Sequence, residues 1–180
     1  MEAKARLLTC RAVTMAELVV AVSILAILGT IGFPVFTQMR DRANAVQCSA
    51  NLRTLGGALQ LYLQDHNQTM PKLEAARTSL DEPGPVIDTV LLEYVDTPDV
   101  FRCPSDDHLH AATGTSYFWN STLNGQPAAS LRFLLTRDQG RIPVLSDKEN
   151  FHRGVGDEVN VLYADGHVEK EVRFTVSSAP

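Results

Sequence analysis

Residues 12–36 read AVTMAELVVAVSILAILGTIGFPVF, with a single charged residue, Glu17, just inside the leading end. From Leu18 to Phe36 no charge interrupts the run. As a helix at ~1.5 Å per residue, these about nineteen residues reach roughly 28 Å, close to the thickness of a bilayer core. A membrane helix is the expectation, and three kinds are open: a removable secretory signal, an ordinary anchor, or an anchor with a specialised leading end. A removable signal calls for a small-residue cleavage site after the run. Here Gly32 is followed by Phe33, Pro34, Val35 and Phe36, and then by a charged helical pattern. Ahead of the run, Lys4, Arg6 and Arg11 stand against Glu2, which by the positive-inside tendency predicts a cytoplasmic N-terminus.

Beyond Phe36 the helical pattern continues in amphipathic form. Ala45, Cys48, Leu52, Leu55, Leu59 and Tyr62 recur at three- and four-residue spacing and share one helical face, whereas Arg40, Asp41, Arg42, Asn44, Gln47, Asn51 and Arg53 fall largely elsewhere. One long helix is predicted, its first half suited to lipid and its second to covering a soluble core. Gly56 and Gly57 weaken it by about 1 kcal/mol each relative to Ala, so close packing or a bend is expected there. Pro34 removes one backbone hydrogen bond, as a tolerated kink or as a hinge. Pro71 is the predicted stop.

The chain has 180 residues, of which 44% are hydrophobic, room for one compact domain with an appendage. Its net charge of -5 supplies no basic field for a phosphate backbone, so direct nucleic-acid binding is not expected. After Pro71 the turn formers DEPGP, DTPD, CPSDD, TGTS, NGQP and DQGR divide the sequence into short elements, the pattern of a loop-rich α+β head. VIDTVLLEYV reads as a short helix and SYFWNS as an aromatic strand packed on the long helix. Asp165-Gly166 in EVNVLYADGHVEKEVRFTV predicts a two-residue type I′ hairpin that sets Tyr163 opposite Val168 and Val159 opposite Val172. Val159, Val161, Tyr163, Val168 and Val172 then form one apolar face, turned toward the second half of the long helix.

A carboxylate placed as Glu17 is costly in a bilayer, about 2.5 to 3.5 kcal/mol at mid-helix and less near an end. It reaches water at the interface, precedes the true start of the span, or has a partner. Here the sequence resembles a known family: a short basic leader, a small residue, VTMAE and a long apolar run are similar to the N-terminal signature of type IV prepilins and of the pseudopilins of type II secretion systems. That resemblance implies cleavage by a membrane prepilin peptidase between Ala12 and Val13, with N-methylation of Val13. It also implies pairing of Glu17, the fifth residue of the mature chain, with the N-terminal amine of a neighbouring subunit. Ala12 stands where the family usually has Gly, and Val13 where it usually has Phe. Pro34 lies where family members commonly carry a proline at which the helix loosens on assembly. The organisation so implied is a cytoplasmic leader (1–12), a transmembrane and filament-core helix (13–36), an amphipathic half-helix (37–70) and a periplasmic α+β head (71–180).

The rest of the chain resembles a set of bacterial prepilin-like proteins with NLR after a helical cysteine, CPSD in the head and a histidine, spacer and Asp-Gly turn near the C-terminus. CSANLRTLGGALQLYLQDHNQTMP, FRCPSD and VNVLYADGHVE carry this likeness, with a longer spacer than usual between His152 and Asp165. With Cys10 lost in the leader, Cys48 and Cys103 form an even pair for which an oxidising periplasm predicts a disulfide, two buried thiols being the other reading. No second pair stands at metal-ligand spacing, so no metal site is expected from the cysteines. Asp147, Glu149, Asp157 and Glu158 crowd SDKENFHRGVGDE; major pseudopilins bind calcium in such a region, but EF-hand spacing is lacking and a solvated loop is the expectation. His108 and His110 read as exposed loop.

The sequence thus leads to a non-enzymatic structural subunit of a type II secretion pseudopilus or type IV pilus-like filament. Its expected partners are the prepilin peptidase, other pilin or pseudopilin subunits and the inner membrane, which it crosses once. The first rival is a membrane-anchored periplasmic ligand-binding protein that does not polymerise. The second is an anchored hydrolase using the SDKENFHRGVGDE region, tested through His152 and Asp165.

Overall fold

The structure, a computed structural model, describes residues 14–152 and 159–170. Helix α1 runs from Met15 to Asp65 with Pro34 inside it. The chain divides into two units, Met1–Met39 and Arg40–Pro180.

In the first unit the described large apolar residues of α1 are exposed. Leu18, Val19, Val22, Leu25, Leu28, Phe33 and Phe36 are all more than half exposed. Its most apolar window has a mean hydropathy of 2.5 and no buried share, long enough and apolar enough to cross a membrane. The hydroxyls here are satisfied within the helix: Ser23 Oγ donates to the Val19 carbonyl at 2.7 Å, Thr30 Oγ1 to Ile27 at 2.8 Å and Thr37 Oγ1 to Pro34 at 2.9 Å. Such back-bonding is what an apolar medium requires of a hydroxyl, since nothing else can accept its proton.

In the second unit the predicted face of α1 is buried from Ala45 through Cys48, Leu52, Leu55 and Leu59, and Leu63 rather than half-buried Tyr62 completes it. Full burial of each leucine contributes about 2 kcal/mol. Gly56 permits the closest approach: a Cβ there would meet Leu162 Cδ2 at 3.2 Å, whereas one on Gly57 would meet nothing within 4 Å. The helix ends at Asp65, short of position 70, because Asn67 and Gln68 turn left-handed (φ 53° and 55°) and the Gln68 N–H closes back on the Leu63 carbonyl at 2.8 Å.

Two short helices follow, α2 (Ile87–Val90) in the predicted VIDTV stretch and α3 (Leu109–Thr113). The sheet has four antiparallel strands in the order β1 (Tyr117–Trp119), β2 (Pro143–Asp147), β3 (Val161–Tyr163) and β4 (Val168–Glu169). The fold class is α+β. On β1, Tyr117 and Trp119 point into the core and Phe118 outward, the alternation expected of a half-covered strand. They join Leu52, Leu55, Leu59, Val144, Leu145 and Leu162 in one apolar cluster between α1 and the sheet.

The hairpin falls where expected, but with a different turn. Gly166 is left-handed (φ 90°), while Asp165 is not among the residues with positive φ, so the two-residue type I′ turn does not form. Instead the Gly166 N–H donates to the Tyr163 carbonyl and the Tyr163 N–H to the His167 carbonyl, both at 2.9 Å, a three-residue loop through Ala164. The register moves by one: Leu162 opposes Val168 and Val161 opposes Glu169. Val161, Leu162 and Tyr163 are all buried, so β3 is covered on both sides and the single-face reading is replaced; Val172 lies outside the described residues.

Candidate functional site

Three separate local structures bring Cys48, Cys103 and His152 together. Cys48 lies on the buried face of α1. One turn on, Asn51, 7% exposed, donates from Nδ2 to the Arg102 carbonyl at 2.8 Å, which ties the CPSD segment to the helix beside Cys48. On that segment the Cys103 N–H donates to Ser116 Oγ at 2.9 Å, and the Ser116 hydroxyl donates to Asp106 Oδ2 at 2.5 Å. Asp106 also accepts the backbone N–H groups of His108, Leu109 and His110 and so caps α3. Burial opposes ionisation of Asp106, but the Ser116 hydroxyl and those N–H groups outweigh it and hold its pKa below the usual range.

His152 completes the cluster with Nε2 at 3.4 Å from Cys103 Sγ. The ligand atoms of Cys48, Cys103 and His152 all lie within 4.8 Å of one another and all three residues are buried. Cys48 Sγ donates to Asp147 Oδ1 at 3.2 Å and lies 3.5 Å from the Tyr117 hydroxyl. Asp147 Oδ2 accepts from the Asn160 backbone N–H at 2.9 Å and from its Nδ2 at 2.7 Å, and Ser49 Oγ bonds Asn160 Oδ1 at 3.0 Å. The two cysteines are free thiols of opposite character. Contact with Cys103, then burial, pushes the Cys48 thiol far up; contact with Cys48 and with His152, against burial, pulls Cys103 down to about 6.

Asp147 was expected in an acidic loop and is instead the buried last residue of β2, its carboxylate engaged by Asn160 and Cys48. Burial raises its pKa despite those hydrogen bonds. It is therefore no surface calcium ligand. Glu149 is exposed, and Asp157 and Glu158 lie outside the described residues. His152 and Asp165, which the sequence motif pairs, have different partners: Asp165 Oδ1 accepts the His167 N–H at 3.1 Å and contacts its ring, while His152 faces Cys103. His108 is exposed and His110 half-buried, on α3. Asn51, Ser116 and Asn160 were not singled out for the cluster; their place inside NLR, TSY and VNV is a local signal only once the partners are known.

A cleft of about 640 Å³ lined by Arg40, Asn44, Ser105, His108 and Glu149 reaches His152.

At the other end of the chain, Thr14 and Glu17 form a reciprocal cap on α1. Glu17 Oε2 accepts from the Thr14 N–H and hydroxyl, both at 2.9 Å, and the Glu17 N–H donates to Thr14 Oγ1 at 3.2 Å. Ala12 and Val13 lie outside the described residues. Set against protein-family models, curated proteins and solved structures, the chain matches none.

Proposed function

We propose that the chain is a structural subunit of a type II secretion pseudopilus or type IV pilus-like filament, held in the inner membrane by α1 until assembly. One observation carries this reading: an apolar stretch whose described large side chains are exposed runs in the same helix as a face that anchors an α+β head. A surface of that kind needs lipid or other copies of itself to cover it. In this proposal a prepilin peptidase cuts between Ala12 and Val13 and methylates the new amine. Glu17 then exchanges part of its capping role for that amine on a neighbouring subunit, a pairing made strongly distance-dependent by desolvation. Pro34, lacking an N–H for the Thr30 carbonyl, is the point at which the helix loosens. The head stays periplasmic, or outside the cell after assembly.

The test is the mass of the protein extracted from membranes with and without a prepilin peptidase. A peptidase-dependent start at Val13 carrying one extra methyl group supports the proposal, and an unprocessed start in both strains overturns it. The cleft beside His152 favours a second reading, a membrane-anchored periplasmic ligand-binding protein that does not polymerise. A monomeric mature protein whose function survives Glu17→Ala would decide for that one.

A further inference from the structure

We infer that the head holds a zinc ion, bound by Cys48 Sγ, Cys103 Sγ and His152 Nε2, with Asp147 Oδ1 as the fourth ligand. The spacing fits. With Zn–S near 2.3 Å and Zn–N or Zn–O near 2.0 Å, tetrahedral ligand atoms lie roughly 3.6 Å from one another. Cys103 Sγ to His152 Nε2 is 3.4 Å, Cys48 Sγ to Asp147 Oδ1 is 3.2 Å, and the three sulfur and nitrogen atoms fall within 4.8 Å. Shifts of up to about 1 Å bring the widest-spaced of these atoms to tetrahedral distance.

The hydrogen bonding points the same way. Asp147 uses Oδ2 for both Asn160 contacts, while its Oδ1 meets the thiol of Cys48. Once that thiol ionises, Oδ1 loses its donor and is free to take a cation, and the Asn160 contacts become the outer support that orients a ligating carboxylate. His152 is 6% exposed, and its buried Nδ1 has no partner among the described residues. Its Nε2 faces the Cys103 sulfur at 3.4 Å.

The donor set selects the ion. Two thiolates and an imidazole are too soft for calcium or magnesium, and two cysteines with one histidine are too few for an iron–sulfur cluster. Zinc binding is a proton exchange with no redox step: one Zn²⁺ enters, the protons still held by the thiols leave to solvent, and two Zn–S bonds form. The cleft at His152 provides the way in. The ligands come from α1, the CPSD segment, the end of β2 and the segment after it, so the ion would clip together the parts of the head that no strand pairing joins. This site is independent of whether the N-terminal helix polymerises.

The experiment is metal analysis of the full-length protein, extracted in detergent without chelator or added reductant, together with alkylation and mass measurement of its thiols. Near one zinc per chain, with both thiols alkylated only after the metal is removed, is the expected result. Zinc affinity should fall roughly 100-fold or more in Cys103→Ser and in His152→Ala. A Cys48–Cys103 disulfide, seen as a mass lower by two hydrogens with no zinc present, overturns the site in favour of an oxidised pair. Zinc retained at the wild-type level by a folded Cys103→Ser variant overturns it in favour of surface binding. Should the variants fail to fold, cobalt substitution of the unaltered protein decides: tetrahedral cobalt bands with thiolate charge transfer support the site, and their absence from the reduced protein overturns it.

Discussion

Cys48, on the long helix, donates its thiol proton to Asp147, at the end of the strand β2 that lies 99 positions later in the chain. This contact links the amphipathic half of α1 to the sheet through buried polar atoms, next to the contact between Cys103 and His152. Buried polar groups of this kind are stable only as a completed set.

Stripped of metal and treated with a mild oxidant, the protein should form a Cys48–Cys103 disulfide without unfolding, because the two sulfurs already lie within 4.8 Å. The bond would close a loop of about fifty-five residues and add up to about 4 kcal/mol by loop entropy. Comparing denaturant midpoints of the oxidised and reduced forms, with mass spectrometry of the bridged peptide, checks both statements.

Asp106 should make the head acid-sensitive. Its folded pKa lies below the ordinary 3.8, so the stabilisation from its four hydrogen bonds is fully present above the unfolded value and is lost as pH falls through the folded one. Asp106→Asn keeps one acceptor oxygen but not the charge. It should lose about 1 to 3 kcal/mol at pH 7 and flatten the acid limb of a stability profile measured by urea unfolding between neutral pH and pH 2.

The adjacent glycines of α1 should respond in opposite ways. Gly57→Ala fills open space on a helix and should stabilise the head by about 1 kcal/mol. Gly56→Ala presses on Leu162 at 3.2 Å, so the same gain is cancelled or reversed by the shift forced on β3. Thermal melts of the two variants read the difference directly.

Glu17→Gln separates the two roles of that residue. Glutamine serves in a capping box as glutamate does, so α1 should start unchanged, whereas Glu17→Ala loses about 1 kcal/mol of cap. If the charge pairs with a neighbour's amine, Glu17→Gln should still be processed yet fail to enter filaments. Filament yield of the two variants, at equal amounts of processed subunit, tests this; normal assembly of Glu17→Gln would leave the cap as the residue's whole function.

The long helix was legible from residue order alone because its two halves obey simple rules: an uncharged run of bilayer length, then apolar residues at helical spacing from Ala45 to Leu59. The aromatic strand and the position of the hairpin were readable for the same reason, since periodicity and an Asp-Gly pair are local signals. The hairpin register was not. It depends on whether Asp165 itself turns left-handed, and with Gly166 alone doing so Ala164 enters the loop and each partner moves by one. Strand β2 was hidden by Pro143 at its start and by the acidic residues after it. Nothing local distinguishes Asp147, buried against Asn160, from Glu149, in solvent. The thiol and histidine cluster was least visible of all. Cys103 and His152 lie 49 positions apart, and their meeting with Cys48 depends on Asn51 holding the Arg102 carbonyl and on Asp106 and Ser116 shaping the CPSD turn. Residue order determines which segments are helix, strand or turn because those choices are made over a few neighbouring residues. Which side chains share a dry, polar interior was decided only when the head closed on α1, because that contact joins atoms with no local relation in the chain.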